Sequence, residues 1–510
     1  MKSSLLRYRH ISRNRKTEQG KPAHAARHAR HAGLAMVVAI LHIPAAWSAE
    51  QSGAEGSGEI AELRRALADM RQQYEARINA LEARIRRAEI SAASAETKAT
   101  GNEARIEARA APAPVPTAGI QSRANAFNPA ISLILQGTGA SYSRNPEHWR
   151  LPGFQSGGEA GLKSEGLSLD ETELTASANV DNWFYGQVTL GLHEHAGETE
   201  VHVEEAFLEN LSLPGGFGLK AGRFFPEIGY LNTSHSHTWD FADVSLTGQA
   251  FLGRQYHDDG LRLSWLAPTE NYLEFGVEVL RGEKFPASGN SDRLLGGAQN
   301  WFARVGGDIG ANHSFLAGLS HLRAEPEKRS SGHTHEDHAG ETFAFSGDSD
   351  LTVASLVWKW APGGNAANRS LTLQGEYFHR DEEGNVDFEN GASTALLPYD
   401  GAQQGAYLQG VYRFLPNWRA GIRHDRLWSD NDLGVARKSA GLDNNELLEE
   451  SGLLGRHDPY RWTLMSDYSN SEFSRLRFQY AKDYSVSDDG DDQFLIQYIM
   501  SLGSHGAHSY

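Results

Sequence analysis

The sequence contains no cysteine among its 510 residues, and hydrophobic residues make up only 39% of it. A chain without thiols suits an oxidising compartment, where stray thiols would mispair. It also has no paired-cysteine metal site, no glycine-rich phosphate loop and no nucleic-acid-binding motif. The main apolar run, residues 33–46, is about 14 residues long and therefore too short for a stable helical membrane span.

A basic leader precedes this apolar run. Nine Lys and Arg residues stand before it and small residues follow it, which is typical of a secretory signal peptide over residues 1–48 with cleavage after Ser48. Removing the leader leaves 39 basic and 64 acidic residues, a net charge of −25. So acidic a chain is a poor nucleic-acid binder, and its field attracts cations.

The segment after the leader is rich in Ala, Arg, Glu and Leu. Apolar residues recur there at spacings of three and four, at Ile60, Leu63, Leu67, Met70, Tyr74, Ile78, Leu81 and Ile85. This pattern predicts a coiled-coil helix over residues 49–110 that assembles a homotrimer in the periplasm; a single amphipathic helix lying on another surface is the alternative. Residues 111–127 are rich in Pro and Ala and predict an extended tether.

From residue 128 onward the pattern becomes that of strands. In residues 405–427, apolar and polar residues alternate on both sides of Pro416 and Asn417, as in a β-hairpin with one apolar and one polar face. Sixteen such strands are predicted, at about 130–142, 168–180, 182–194, 200–212, 216–224, 257–267, 271–281, 300–309, 313–323, 351–361, 369–380, 404–415, 418–429, 459–469, 472–485 and 492–502.

Strand length and connection length indicate where the apolar face lies. The strands are roughly 10–13 residues long, against about 9–11 for a tilted membrane-spanning strand and about 5–6 in globular sheets. Short turns also alternate with longer connections. Both features favour an all-β, antiparallel up-and-down transmembrane β-barrel of about 16 strands over residues 128–510, facing outer-membrane lipid. A secreted β-sandwich or propeller is the alternative.

The whole arrangement resembles the coiled-coil-bearing outer-membrane porins of Gram-negative bacteria. The stretches FNPAISLILQG (127–137), LKAGRFFPEIGYLN (219–232), DDGLRLSWLAPT (258–269), GDSDLTVASLVWKWAP (347–362) and IMSLGSHGAH (499–508) resemble more closely a porin-like family associated with zinc acquisition. The resemblance implies a channel in the outer membrane and brings no established binding or catalytic residue with it.

Inward side chains of such a barrel set its selectivity. The predicted pore-lining residues are Arg413, Arg419, Arg423, Glu205, Glu209, Glu376 and Asp243. The connection 225–256 is long and less polar than an exposed loop, so we expect it to fold into the barrel and to bring Asp240 and Asp243 to a constriction.

Histidine is unusually frequent, at 22 residues. Imidazole and carboxylate are good ligands for zinc and similar divalent cations. No cofactor is required by the sequence, but zinc or another divalent cation is a candidate ligand. The predicted metal-binding residues are His193, His195, His202, His235, His237, Asp240, His333, His335 and His338.

The leading functional hypothesis is passive uptake of small hydrophilic solutes, including divalent metal ions or their chelates, with no enzymatic activity. An outer-membrane anchor or adhesin is the alternative. An enzyme using His193, His235 and Asp240 is a weaker hypothesis, because no nucleophile motif accompanies them. An energised receptor would need about 22 strands and a globular plug.

Overall fold

The computed structural model describes residues 129–195, 198–289, 294–330, 341–391, 393–455 and 457–503. These residues belong to one compact unit, Ala124–Tyr510. The signal peptide (1–48), the coiled coil (49–110) and the tether (111–127) lie outside the described residues, so these three assignments stay predictions.

The described residues form mostly strands. They are β1 (Ala130–Tyr142), β2 (Gly166–Leu169), β3 (Thr172–Asn179), β4 (Phe184–His195), β5 (Glu198–Asn210), β6 (Phe217–Phe224), β7 (Asp258–Leu266), β8 (Tyr272–Leu280), β9 (Ala298–Ile309), β10 (His313–Ala324), β11 (Arg329–Ser330), β12 (Glu341–Trp360), β13 (Ser370–Asn390), β14 (Ser393–Leu415), β15 (Trp418–Leu433), β16 (Arg437–Lys438), β17 (Tyr460–Ser471), β18 (Ser474–Asp483) and β19 (Asp491–Gly503).

These strands close into a 16-strand antiparallel barrel. Each long strand pairs with the next along the chain, and β1 pairs with β19 from Ser132 opposite Gly503 to Tyr142 opposite Gln493. β2 and β3 both pair with β1 and together make one strand of the wall, while β11 and β16 are two-residue additions. The fold class predicted from the sequence is confirmed.

The described helices are short. α1 (Leu246–Leu252) lies in the connection between β6 and β7, and α2 (Asn444–Glu450) lies in the connection between β15 and β17. Single 3-10 turns occur at Pro146–His148, Pro214–Gly216, Leu231–Thr233, Ser236–Thr238 and Pro362–Gly364. In the described part of the chain, no helix has the length and apolar character needed to cross a membrane.

The two faces of the wall have opposite character because the side-chain period of a strand is two. In the hairpin of β14 and β15, Leu408 is 65% exposed on the outside, whereas Gln409 is 4% exposed on the inside. Ile422 is likewise exposed while Arg423 is buried. The wall is therefore apolar outside and polar inside, the reverse of a soluble barrel.

Connections are short at one end of the barrel. The predicted turns near residues 181, 215, 269, 311, 365, 416 and 471 all separate successive strands as expected. Exposed aromatic side chains flank them, namely Trp183, Phe184, Phe217, Trp265, Tyr272, Trp418 and Phe473.

At the opposite end, two predicted loops are instead largely strand. β12, β13 and β14 are 20, 21 and 23 residues long, so they take in much of the segments 324–350 and 381–403 that the sequence assigns to loops. The inward alternation of Phe345, Val386, Phe388, Leu397 and Tyr399 explains the difference, since these residues form a separate core that stabilises the extension. In these extensions the inward positions are apolar and the outward ones polar, the reverse of the pattern in the rest of the wall.

The interior of the barrel also contains a hydrophobic core. Trp149, Leu151 and Phe154 of the connection after β1 pack with Leu246 and Phe251 of α1. Phe154 and Phe251 meet edge to face, with ring centroids 5.5 Å apart. Burial of these side chains holds both connections inside the wall.

Candidate functional site: the inner loop and its charged partners

The connection of residues 225–257, here called the inner loop, lies inside the barrel as its apolar residues predict. Trp239 and Phe241 are 4% and 2% exposed, and every residue of α1 is buried. The Ser245 hydroxyl caps α1 by accepting from the Gly248 amide at 3.2 Å. Gly253 ends the helix with a left-handed backbone, φ 60°, which favours glycine.

Asn232 joins the two ends of the inner loop. Its side-chain amide nitrogen donates to the carbonyls of Pro226 and Tyr256 at 2.9 and 3.0 Å. Its amide oxygen accepts from the Tyr256 backbone N–H at 2.7 Å. Three hydrogen bonds of one buried side chain thus close the loop on itself.

Polar side chains of the wall hold the backbone of the inner loop. Arg423, Arg461 and Arg477 donate to loop carbonyls, while Asp425, Gln479, Glu278 and Glu376 accept from loop N–H groups. Buried backbone groups need such partners, because each one left unpaired costs about 1–3 kcal/mol. The wall therefore fixes the path of the loop.

Ion pairs reinforce this attachment on the side of β15 and β17. Asp243 of the inner loop lies 2.9 Å from Arg423 Nη2 and 2.8 Å from Arg461 Nη1. Asp240 lies 2.7 Å from Arg419 Nη1. Of the predicted pore-lining residues, the structure brings together Arg419, Arg423 and Asp243.

The other predicted pore-lining residues lie elsewhere. Arg413 donates to the Pro416 carbonyl at 2.6 Å in the turn after β14. Glu209 is 3.7 Å from Lys220. Glu376 is buried beneath the inner loop, where it accepts from the Tyr230 N–H at 2.5 Å and the Tyr407 hydroxyl at 2.7 Å.

Sequence reasoning missed three partners of this charged cluster. Arg461 and Asp467 lie on β17 and Arg477 lies on β18, and all three are nearly fully buried. Arg477 Nε lies 2.8 Å from Asp467 Oδ1. The period-two alternation of β17 and β18 places all three on the inner face, and this signal could have found them.

A second cluster surrounds His235 on the side of β3 and β5. Its Nδ1 lies 3.1 Å from Glu173 and 3.5 Å from Glu204, and its Nε2 lies 3.0 Å from Glu205. His237 Nδ1 is 2.8 Å from the other oxygen of Glu173. Burial alone would lower the pKa of the His235 imidazole, but Glu173 and hydrogen bonds to Glu204 and Glu205 raise that pKa well above its ordinary value.

Two of the remaining predicted metal ligands, His202 and Asp240, have other partners. His202 is exposed and lies 3.1 Å from Glu200. Asp240 pairs with Arg419 and not with His237. It therefore belongs neither to the metal site nor to the catalytic set of His193, His235 and Asp240 that the sequence suggested. His193 and His195 lie at the end of β4. His333, His335 and His338 lie outside the described residues.

A cavity of about 590 Å³ lies beside the inner loop. Charged residues of the wall and of two connections line it, including Lys163, Asp170, Glu171, Asp243, Arg254 and Arg461. The Arg254 guanidinium donates to Glu171 at 2.8 Å. The cavity is thus a polar space bounded on one side by the inner loop.

The fold and site define a closed barrel narrowed by an inward-folded loop. No family model matches the sequence. An uncharacterized protein of Aquifex aeolicus (strain VF5) is 29% identical over 408 residues, which cover 76% of this chain and 80% of that protein.

Three solved structures are similar to the chain at low scores. The outer membrane channel DcaP of Acinetobacter baumannii has a TM-score of 0.46 at 11% identity, covering 76% of this chain and 100% of that one. An anion-selective porin from Comamonas acidovorans has 0.44 at 10%, covering 74% and 100%. The trimer form of OmpT of Vibrio cholerae has 0.44 at 11%, covering 74% and 100%. The fold follows from the strand pairing of the chain itself.

Proposed function

We propose that this chain is a passive channel of the bacterial outer membrane for small hydrophilic solutes. The observation that carries the proposal is the reversed polarity of a closed 16-strand wall. Exposed apolar side chains all round a barrel would be costly in water, whereas lipid accommodates them. A barrel of about 16 strands is also wide enough to hold an aqueous path.

The inner loop supplies the selectivity in this proposal. It occupies part of the interior with a packed core, and the polar cavity lined by Asp243, Arg254 and Arg461 lies beside it as a space for a solute. Charges of both signs face that space, and they favour small polar or ionic solutes over apolar ones. Divalent metal ions and their chelates are among the solutes that we propose.

The assembly forms a further part of the proposal. We infer a homotrimer joined by the helix predicted over residues 49–110, which would lie in the periplasm and connect to the barrel through residues 111–127. Apolar residues at spacings of three and four support self-association. Cross-linking of the full mature chain should yield a trimer, and deletion of residues 49–110 should abolish it. A chain that is monomeric with this helix present would contradict the proposed homotrimer.

The channel itself is tested by recording currents from the purified full chain in planar bilayers, with a chelator present to remove metal ions. We expect stepwise current increments as single assemblies insert. A chain that is folded, as judged by its β-rich circular dichroism, and that inserts without carrying current would overturn the proposal. The folded barrel would then fit an anchor better than a channel.

A further inference from the structure

Two irregularities in the wall direct carboxylates towards the inner loop. In β5, Glu205 pairs with Thr189 and Val203 pairs with Leu190, so Glu204 is an extra residue on that strand. Such a bulge re-aims a side chain and is common beside functional sites. As a result Glu204 and Glu205 are both buried inside, although neighbours on a regular strand point to opposite faces.

The same happens where β2 meets β3. Gly137 of β1 pairs with Leu169 and Ile134 pairs with Glu173, so the second strand holds one residue more than β1 between these pairs. Glu173 is 1% exposed and points to the interior. Two separate bulges therefore bring carboxylates from β3 and β5 to one place.

His235 of the inner loop stands between these carboxylates in a fixed orientation. Its Nε2 lies 3.0 Å from Glu205, a carboxylate that can only accept, so Nε2 carries the proton. Its Nδ1 faces Glu173 at 3.1 Å and Glu204 at 3.5 Å. In the neutral imidazole the lone pair of Nδ1 therefore points at two carboxylates, an arrangement that requires a cation between them.

That cation is either a second proton on His235 or a metal ion. The ligand atoms of Glu173, Glu204 and His235 all lie within 4.8 Å of one another, close enough to converge on one ion. The hydrogen bond from Nε2 to Glu205 orients the ring as a carboxylate partner orients a metal-bound histidine. His237 holds the second oxygen of Glu173 at 2.8 Å and fixes that carboxylate as well.

We propose that Glu173, Glu204 and His235 bind a divalent transition-metal ion, with Glu205 and His237 as positioning residues. One imidazole with two carboxylates is a donor set that suits zinc and similar ions better than calcium or magnesium, which favour oxygen ligands alone. The His235 side chain is 20% exposed, so an ion can reach the site from the interior of the barrel. The site rests on this geometry and not on whether solutes pass through the barrel.

The test uses the full mature chain in detergent, from which metal ions are first removed with a chelator. Zinc is then titrated into it, and calorimetry measures the binding. All samples carry His333→Gln, His335→Gln and His338→Gln, so that this histidine-rich segment contributes no ligand. We expect one equivalent of zinc to bind. His235→Gln and Glu204→Gln should each weaken the affinity at least about tenfold, the scale on which mutation around a metal site acts.

His202→Gln is the matched control, because His202 is an exposed histidine on the same strand as Glu204 and pairs with Glu200. It should leave the affinity unchanged. Binding of cobalt in place of zinc should add visible absorption bands that only His235→Gln and Glu204→Gln remove.

Two results would overturn the site. One is that the parent chain binds no saturable equivalent of zinc; the other is that both variants bind zinc with the affinity of the parent. His235 would then be a protonated centre of ion pairs. Circular dichroism checks the fold of each variant, and Glu204→Gln, which keeps the size of the side chain, serves if His235→Gln does not fold. Currents recorded from the same samples with a chelator test the channel separately, so either proposal can fail alone.

Discussion

At the scale of single residues, the described part of this protein buries many charges, and each fully buried arginine there lies beside a carboxylate. Arg423, Arg461 and Arg477 are each about 1% exposed or less, yet each lies within hydrogen-bond distance of a carboxylate. A buried charge that loses its partner costs about 3–5 kcal/mol, so these pairs hold the interior in one arrangement. These ion pairs therefore fix the position of the inner loop.

His257 of the inner loop gives the chain a pH dependence that can be measured. Burial, then the Lys284 ammonium that donates to its ring, lowers the pKa of His257 from 6.5 to about 4, while Glu159 and Glu204 oppose the shift and Arg223 adds to it. The unfolded chain therefore takes up a proton at this position between pH 6.5 and 4 that the folded chain does not. Stability should fall as the pH is lowered through this window, by on the order of 3 kcal/mol from His257.

Thermal unfolding in detergent between pH 7 and pH 4 checks this expectation. His257→Gln cannot take up the proton, so its midpoint should fall less steeply than that of the parent chain. Comparison of the two removes the contribution of the carboxylates, which is common to both. Identical slopes would mean that folding does not lower the pKa of His257.

The sequence identifies many of these residues but not their partners. Alternation along β15 places Arg419 and Arg423 inside, and it would do the same for Arg461 on β17. It does not predict that Asp240 pairs with Arg419 and not with His237, because that depends on how the inner loop turns. Nor does it predict Glu204, which faces inward only because β5 carries a bulge.

At the scale of elements, the sequence predicts that the inner loop folds into the barrel, because its apolar residues need burial. Its course is set by contacts between positions far apart in the sequence, such as the Leu246 N–H with Asp425 at 3.1 Å. The lengths of β12 to β14 were underestimated for a related reason. Their outer parts pack on a local core with Leu447 of α2, and that contact is not visible in strand patterning alone.

Asp243 offers a test of how the inner loop is held. Asp243→Asn removes the carboxylate that Arg423 and Arg461 share, and leaves Asp425 as their remaining near anion. We expect stability to fall by about 3 kcal/mol or more and the loop to leave the wall, because two buried guanidinium groups then repel each other. Single-channel current should rise and become noisier as the constriction loosens.

Asp348→Asn is the control for this change. Asp348 also faces an arginine, Arg323 at 3.9 Å, but the two side chains are 63% and 57% exposed. Exposed pairs contribute about 0–1 kcal/mol, so neither stability nor current should change measurably. If Asp243→Asn behaved like Asp348→Asn in both measurements, the ion pairs would not hold the loop.

At the scale of the whole molecule, the barrel was the most predictable feature. Period-two patterning and turn positions together determine which strands are neighbours, and sequential pairing then leaves β1 and β19 to pair with each other. What the patterning does not reveal is how full the interior is. Two connections and a hydrophobic core lie in it, so the open interior is narrower than the strand number alone implies.

The environment of the outer face is the property on which the proposed function depends most. Ile422 on β15 is 47% exposed and lies further from the short turn than the exposed Trp418, so it belongs to the apolar outer face of the wall. If the outer face of the wall meets lipid, Ile422→Arg should lower the free energy of unfolding from vesicles by about 2–4 kcal/mol, the cost of an arginine near the bilayer midplane. A urea titration of folding into vesicles measures the loss, with Ile422→Leu as the apolar control. Equal midpoints for the two variants would place Ile422 in water, since an exposed arginine there would cost nothing, and would remove the main support for a membrane channel.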